Sequence, residues 1–201
     1  MSLNTLAIFG PNPDTNSPAE LDLRLRQLKD VLLTSRPLQL VFLGGEAWQQ
    51  NGREITEAEL IAQEANRVFP ELLPREQITL PIGLETISQT HALMDFLDRS
   101  RVPSVNSGVI SSWHQLLRSS AVFLTNGRQP PVLFPNFYTE SAQTLAYDVG
   151  VNAIAGVGYT VLAEMLQKVG IWKDGGPFVN QIKKERSERK GFSWFNTKKF
   201  K

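Results

Sequence analysis

Cysteine is absent from the 201-residue chain, which excludes disulfide staples, thiolate metal sites, iron–sulfur clusters and a cysteine nucleophile. Histidine is nearly absent: His91 and His114 are the only two, too few for a multi-histidine zinc centre, and no metal is expected. The uninterrupted apolar runs fall far short of the ~20 residues of a membrane span. The N-terminus, Met1-Ser2-Leu3-Asn4, lacks the basic and apolar regions of a signal peptide. A cytoplasmic protein with no transmembrane segment is therefore the expectation. The 14 Gly and 12 Pro follow no collagen-like period, and no longer repeat is visible, which argues against a solenoid. Neither a Walker phosphate loop nor a Gly-x-Ser-x-Gly elbow is present.

Apolar residues make up 41% of the chain and charged ones 20%, enough to bury a real core. The 22.5 kDa mass suits one domain with an appendage. Net charge is +1 but uneven. Residues 181–201 hold eight of the 21 Lys/Arg and two of the 20 Asp/Glu, leaving 13 basic and 18 acidic groups in the first 180. The body is mildly acidic, so no nucleic-acid partner is expected from it. We read residues 1–180 as a single α/β domain and 181–201 as a C-terminal extension. That extension interleaves basic residues with Phe192, Trp194, Phe195 and Phe200. It reads as a solvated extension or an arm for a partner subunit, with a membrane surface or single-stranded nucleic acid as alternatives.

Strand and helix patterns alternate. Leu6–Phe9 followed by Gly10 reads as a buried strand, and Ser17-Pro18-Ala19-Glu20 as a capping box opening a helix with Leu21, Leu25, Leu28 and Leu32 at helical spacing. Leu38–Leu43, ending in Gly44-Gly45, is the clearest central strand, apolar on both faces apart from Gln39. A polar loop through Asn51-Gly52 leads to a second box, Thr56-Glu57-Ala58-Glu59. Ile78–Gly83 reads as a weaker strand with Pro81 near its end. Thr86-Ile87-Ser88-Gln89 and Ser112-Trp113-His114-Gln115 read as third and fourth boxes, separated by a ragged strand within Val102–Ile110. Pro131–Pro135 reads as a last strand, followed by a helix from about Thr139. Val151–Leu166 fits either one long helix interrupted at glycine or a strand, a glycine turn and a helix. The alternation predicts a parallel sheet covered on both faces, with ligands beyond the carboxyl ends of its strands.

That rule selects the candidate site. Gly10, Gly44 and Gly45 end strands and either let a ligand approach the backbone or simply turn the chain. Glu85, Ser88 and Thr90 surround a helix start, where hydroxyls and N–H groups hold anions and Glu85 favours a cationic or hydroxyl-bearing group; ordinary capping is the alternative. His114 and Arg118, four apart, share a helix face near the crevice, either as a proton-handling, anion-binding pair or as a surface pair. His91, among Ala92, Leu93 and Met94, reads as a packed residue. Gly156-x-Gly158 hints at a dinucleotide fingerprint, but Val161 stands where a third glycine belongs.

Taken in order, several of these pieces resemble a known family. They are the glycine-ended first strand, Leu43-Gly44-Gly45, Thr56-Glu57-Ala58, Glu85-Thr86-Ile87-Ser88-Gln89-Thr90 and Ser112-Trp113-His114 with Arg118. Together they are similar, over roughly residues 5–125, to the YdcF-like family, which includes the SanA and ElyC envelope proteins. The chain departs from that pattern where the family's Glu-Asn falls on Ala92-Leu93, and where three residues rather than two separate His114 from Arg118. The resemblance implies a Rossmann-like three-layer sandwich with a mostly parallel central sheet of about five strands. It also implies a ligand site at the C-terminal edge of that sheet, and S-adenosylmethionine, which a family member binds, as the cofactor to expect. The residues carried over are Gly10, Gly44, Gly45, Glu57, Glu85, Ser88, Thr90, His114 and Arg118.

Three functions compete: binding of a small nucleotide-like molecule, hydrolase or transferase chemistry on a phosphorylated or glycan-derived metabolite, and a non-catalytic interaction scaffold. In the second, His114 and Glu85 are the catalytic pair, with Glu57 as an alternative partner to His114. Self-association into a homo-oligomer is open to all three.

Overall fold

The computed structural model describes residues 3–10, 18–45, 47–50, 53–82, 86–137, 145–146 and 148–172. Five strands form one parallel sheet: β1 (Thr5–Phe9), β2 (Gln39–Leu43), β5 (Glu76–Leu80), β6 (Ser107–Ser112) and β7 (Val132–Asn136). Their spatial order is β5-β2-β1-β6-β7, and every pairing is parallel. Between β2 and the second helix, β3 (Ala47–Gln50) and β4 (Arg53–Thr56) pair as an antiparallel hairpin. The helices are α1 (Pro18–Ser35), α2 (Glu57–Val68), α3 (Thr86–Arg99), α4 (Trp113–Thr125) and α5 (Gly156–Lys168).

Burial separates the central strands from the edges, although β6 is buried with serine at both its ends. Every residue of β1, β2 and β6 is buried, whereas β5 and β7 are partly exposed edges. A strand buried on both faces needs apolar side chains on both, and alternate residues then serve two cores. Leu6, Ile8, Leu40 and Phe42 face α1 and α2, where Leu25, Leu28, Ile61 and Ala65 meet them. Ala7, Phe9, Val41 and Leu43 face α3, α4 and α5, against Leu93, Phe96, Val122, Phe123 and Ala163. The result is a Rossmann-like three-layer sandwich. Gly108 in β6 leaves room for the Phe134 ring, which would lie 2.7 Å from a Cβ there. Pro135 is tolerated in β7 because that strand is an edge.

Several local expectations need correction. The ragged strand is shorter and later than its apolar run, because a 3₁₀ turn takes Ser104–Asn106 and pairing starts at Ser107. The polar loop expected through Asn51-Gly52 lies outside the described residues, but the segments on either side of it are strands, β3 and β4, paired antiparallel. The Thr56 box is complete: Glu59 N–H donates to Thr56 Oγ1 at 3.3 Å and Thr56 N–H to Glu59 Oε2 at 2.7 Å. Ser112 does occupy an N-cap, but its hydroxyl donates to the Gln115 side chain at 2.9 Å and makes no capping bond to the helix backbone. Thr86 lies inside the first turn of α3 rather than before it, and its carbonyl accepts from Thr90 Oγ1 at 2.6 Å. Ser17 and most of the helix expected from Thr139 lie outside the described residues, as does the extension 181–201.

Val149–Lys168 is helical throughout, wide-turned over Asp148–Ala155 and α-helical from Gly156. This rules out the strand alternative and the dinucleotide fingerprint, since both glycines sit within a helix rather than at a strand-to-helix turn. By length and composition the stretch is apolar enough to cross a membrane, a property missed when runs are broken at glycine. Its inner face nonetheless carries buried polar side chains, Thr160 and Glu164. Glu164, 2% exposed, accepts from His91 Nε2 at 2.8 Å and from Asn126 Nδ2 at 2.8 Å, joining α5 to α3 and α4.

Burial pushes the Glu164 carboxyl up, but hydrogen bonds from His91 and Asn126 and the charges of His91 and Lys168 outweigh it and hold it below the ordinary value. A carboxylate whose folded pKa is lowered stabilises the fold above its unfolded pKa and loses that contribution as pH falls through the folded value. Glu164→Gln should therefore lower stability by about 1–2 kcal/mol near neutral pH. The gap to wild type should close on acidification below the ordinary carboxylate range, as read from urea unfolding at stepped pH. A gap of constant size down to acid would refute this account.

Candidate functional site

The sheet order reverses between β1 and β6, so α1 and α2 cover one face and α3, α4 and α5 the other. At such a reversal the two helices that follow the strands diverge and open a crevice at the carboxyl ends. Gly10, Gly44, Glu57, Ser112 and His114 all belong to that edge: they follow or end β1, β2 and β6, or open α2 and α4.

Glu57, the first residue of α2, is 2% exposed and lies across the ends of two neighbouring strands. A Cβ placed on Gly10 or on Gly44 would come within 2.6 Å of both Cβ and Oε2 of Glu57. The two glycines are thus the space in which this carboxylate lies. Gly10 N–H donates to Leu43 O at 2.6 Å and Gly44 N–H to Leu80 O at 3.3 Å, so each extends the ladder by one residue. Gly44 O in turn accepts from Ala58 N–H at 3.2 Å, fixing the start of α2 against the strand. Across the rim, Gln89 of α3 brings Nε2 to 3.5 Å from Glu57 Oε2, the outer limit of a hydrogen bond. A carboxylate at the first turn of α2 is also favoured by the helix dipole.

The β1–β6 crevice is spanned by a side chain absent from the sequence-derived set. Arg24 of α1 is fully buried, and its Nη1 donates to the carbonyl oxygens of Phe9 and Gly10 at the end of β1. Its Nη2 donates to Glu20 Oε1 at 2.6 Å and to Gln115 Oε1 at 3.0 Å. Gln115 Oε1 also accepts from the hydroxyls of Ser111 and Ser112. Ser112 Oγ further lies 3.4 Å from His114 Nε2, and the His114 ring meets Trp113 edge-on at 5.8 Å. Trp113 stacks on the exposed Phe137 just past β7, the ring planes 19° apart.

Not every expected residue joins this rim. Arg118 points to α5, where its Nε donates to Thr160 Oγ1 at 3.2 Å and its Cδ lies 3.1 Å from where a Gly156 Cβ would stand. The Thr90 hydroxyl is fully buried and engaged within α3. Ser88 lies on the first turns of α3 and Gly45 is half-buried beyond β2. Glu85 is outside the described residues. The residues missed by sequence reasoning are Glu20, Arg24, Gln89 and Gln115. One signal for them was available: Arg24 falls on the stripe of Leu21, Leu25, Leu28 and Leu32, with Glu20 four residues before it. Among the described residues no group of three or more His, Asp or Glu side chains gathers as a metal-ligand set.

No family model, curated protein or solved structure matches the chain.

If Glu57 fixes the need for glycine at position 10, the clash is removable. Gly10→Ala should destabilise the protein by about 1–3 kcal/mol, and most of that loss should vanish when Glu57→Gly, which removes the Cβ along with the carboxylate, is added. Gly44→Ala should stay destabilised in the same background, because Gly44 has φ +154° as well as the crowding. A double-mutant cycle by chemical denaturation reads both, and strict additivity for Gly10 with Glu57 would refute the packing account.

Proposed function

We propose that the protein binds a small nucleotide-like ligand, with S-adenosylmethionine as the leading candidate, at the carboxyl edge of its sheet. The observation that carries this reading is the Glu57 carboxylate laid along the glycine ends of β1 and β2. A ligand reaching that rim meets a carboxylate suited to ribose hydroxyls or an amino group, held against strand ends that carry no side chains of their own. Gly10, Gly44 and Gly45 form the floor, Glu57 the polar contact, and the α4 start with His114 the far wall. Ser88 lies in the first turn of α3, where backbone N–H groups suit a carboxylate or phosphate, and Glu85 directly precedes that helix in the sequence. Thr90 and Arg118 are left with supporting roles, one inside α3 and the other against α5. The resemblance to the YdcF-like family supports the same edge and the same class of molecule.

A second reading gives His114 a proton-transfer role toward a phosphorylated or glycan-derived metabolite, supported by the 3.4 Å approach of Ser112 Oγ to its Nε2. It predicts turnover that disappears in His114→Ala while the melting temperature is retained.

Calorimetric titration with S-adenosylmethionine, S-adenosylhomocysteine and adenine nucleotides tests the first reading. We expect a saturable signal with at least one of them. Glu57→Gln should weaken it about 10- to 100-fold, the magnitude of a lost charge-assisted hydrogen bond. Absence of heat and of thermal shift with every compound would overturn the proposal.

A further inference from the structure

The C-terminal helical stretch keeps its polar side chains on the domain side. Ala153, Thr160, Ala163 and Glu164 are buried, and Glu164 is tied to His91 of α3 and to Asn126 just past α4. The outer side is the reverse. Every exposed residue from Val149 to Met165 is apolar or glycine. Val151, Ile154, Gly158, Leu162, Met165 and Val169 recur at three- and four-residue steps, which places them on one helical stripe. Ile154 is 70% exposed, Met165 59% and Val169 67%. Single exposed apolar residues need no explanation, but a row of them along five turns of helix marks an interaction surface.

What covers the stripe follows from its chemistry and from the chain beyond it. Val149–Lys168 is as long and apolar as a membrane span, yet only 22% of its most apolar part is buried, unlike the core helix of a water-soluble domain. Crossing a bilayer would carry Glu164 away from His91 and Asn126 into hydrocarbon, the costliest place for a carboxylate. The helix is therefore suited to lie on a bilayer rather than to span it. Residues 181–201 carry eight Lys/Arg against two Asp/Glu and interleave them with Phe192, Trp194, Phe195 and Phe200. Basic side chains favour anionic headgroups, and aromatic ones favour the boundary between headgroups and acyl chains. A second copy of the chain fits less well. Interfaces between proteins carry roughly one hydrogen bond per 100–200 Å², and the exposed residues of the stripe offer no side-chain donor or acceptor before Gln167.

We propose that the outer face of Val149–Lys168 docks on an anionic lipid bilayer, with the basic, aromatic segment 181–201 supplying the electrostatic part of the attraction. The stripe enters the boundary between headgroups and acyl chains, while Thr160 and Glu164 stay on the domain side. Either signal alone gives weak, reversible attachment, and stable attachment takes two. Here an apolar helix face and a polybasic segment follow one another in the chain. Nothing in this inference depends on the nucleotide-binding reading.

The test is co-sedimentation of the full chain with vesicles of phosphatidylcholine alone and of an equal mixture of phosphatidylcholine and phosphatidylserine. Wild type should partition onto the mixed vesicles about tenfold more strongly than onto phosphatidylcholine. Ile154→Glu/Met165→Glu and Leu162→Glu/Val169→Glu should each weaken that binding about tenfold with the melting temperature retained. A pair that unfolds is replaced by a probe of the intact face. Met165→Cys supplies the single thiol of a cysteine-free chain, and an environment-sensitive dye on it should shift to the blue on mixed vesicles. Changing Lys183, Lys184, Arg186, Arg189 and Lys190 to Gln should abolish the preference for phosphatidylserine. Absence of binding to mixed vesicles would overturn the inference. So would binding that a folded stripe variant leaves unchanged, or a dye that stays unshifted on the bound protein, since either reduces the effect to a basic segment on a polyanion. A wild-type dimer in light scattering that the stripe variants split, with no vesicle binding, would assign the face to a second copy instead.

Discussion

A guanidinium with no contact to water holds the centre of this fold together. Arg24 ties the last carbonyls of β1 to Glu20 on its own helix and to Gln115 at the start of α4. Those three elements meet where the sheet reverses direction, the place where a doubly wound fold has least backbone of its own to fill space. Burying an arginine is unfavourable unless nearly every N–H finds an acceptor, and a well-packed apolar replacement is often at least as stable. What an apolar side chain could not do is fix direction. The Arg24 fork sets the end of β1 relative to the first turn of α4, and through Gln115 it sets the hydroxyls of Ser111 and Ser112 as well.

The opposite side of the rim is organised by absence. Two strand ends without side chains leave a slot, and Glu57 fills it from the first turn of α2. The capping box at Thr56 and Glu59 anchors that turn, and the bond from Ala58 N–H to Gly44 O anchors it to the strand. The carboxylate is therefore positioned by backbone on both sides, which makes its geometry insensitive to side-chain rearrangement elsewhere. One wall of the crevice is thus a hydrogen-bond network centred on the Arg24 guanidinium and the other a carboxylate laid on glycine backbone.

The layers were legible because β1 and β2 are apolar on both faces apart from their first residues, and because Thr56 and Glu59 announce α2 with local chemistry; β6, serine at both ends, shows only Val109-Ile110. The sequence concealed whatever depended on partners far along the chain. Arg24 meets Gln115 at a separation of 91 residues and His91 meets Glu164 at 73, and no local pattern encodes either. Glycine misled in two opposite ways. Gly10 and Gly44 are needed for a close approach that only the fold creates, whereas Gly156 and Gly158 look like punctuation and sit within a helix. β3 and β4 stayed hidden because four-residue strands are too short for periodicity to declare them.

The position of Arg118 follows from that helix. α5 approaches α4 closely at Gly156, where a side chain would press on the Arg118 methylenes, and the guanidinium then donates to Thr160 one turn on. Thr160 Oγ1 in turn donates to Gly156 O at 2.7 Å, so the glycine, the threonine and the arginine form one packing unit. An arginine at the second turn of α4 thereby serves the C-terminal helix instead of the crevice. The rim cation that sequence spacing assigned to Arg118 is supplied from the other face of the sheet by Arg24, already neutralised by Glu20. With that charge balanced internally, the polarity of the rim is set by the Glu57 carboxylate and by uncharged donors and acceptors. This composition favours a hydroxyl- or amino-bearing molecule over a bare polyanion.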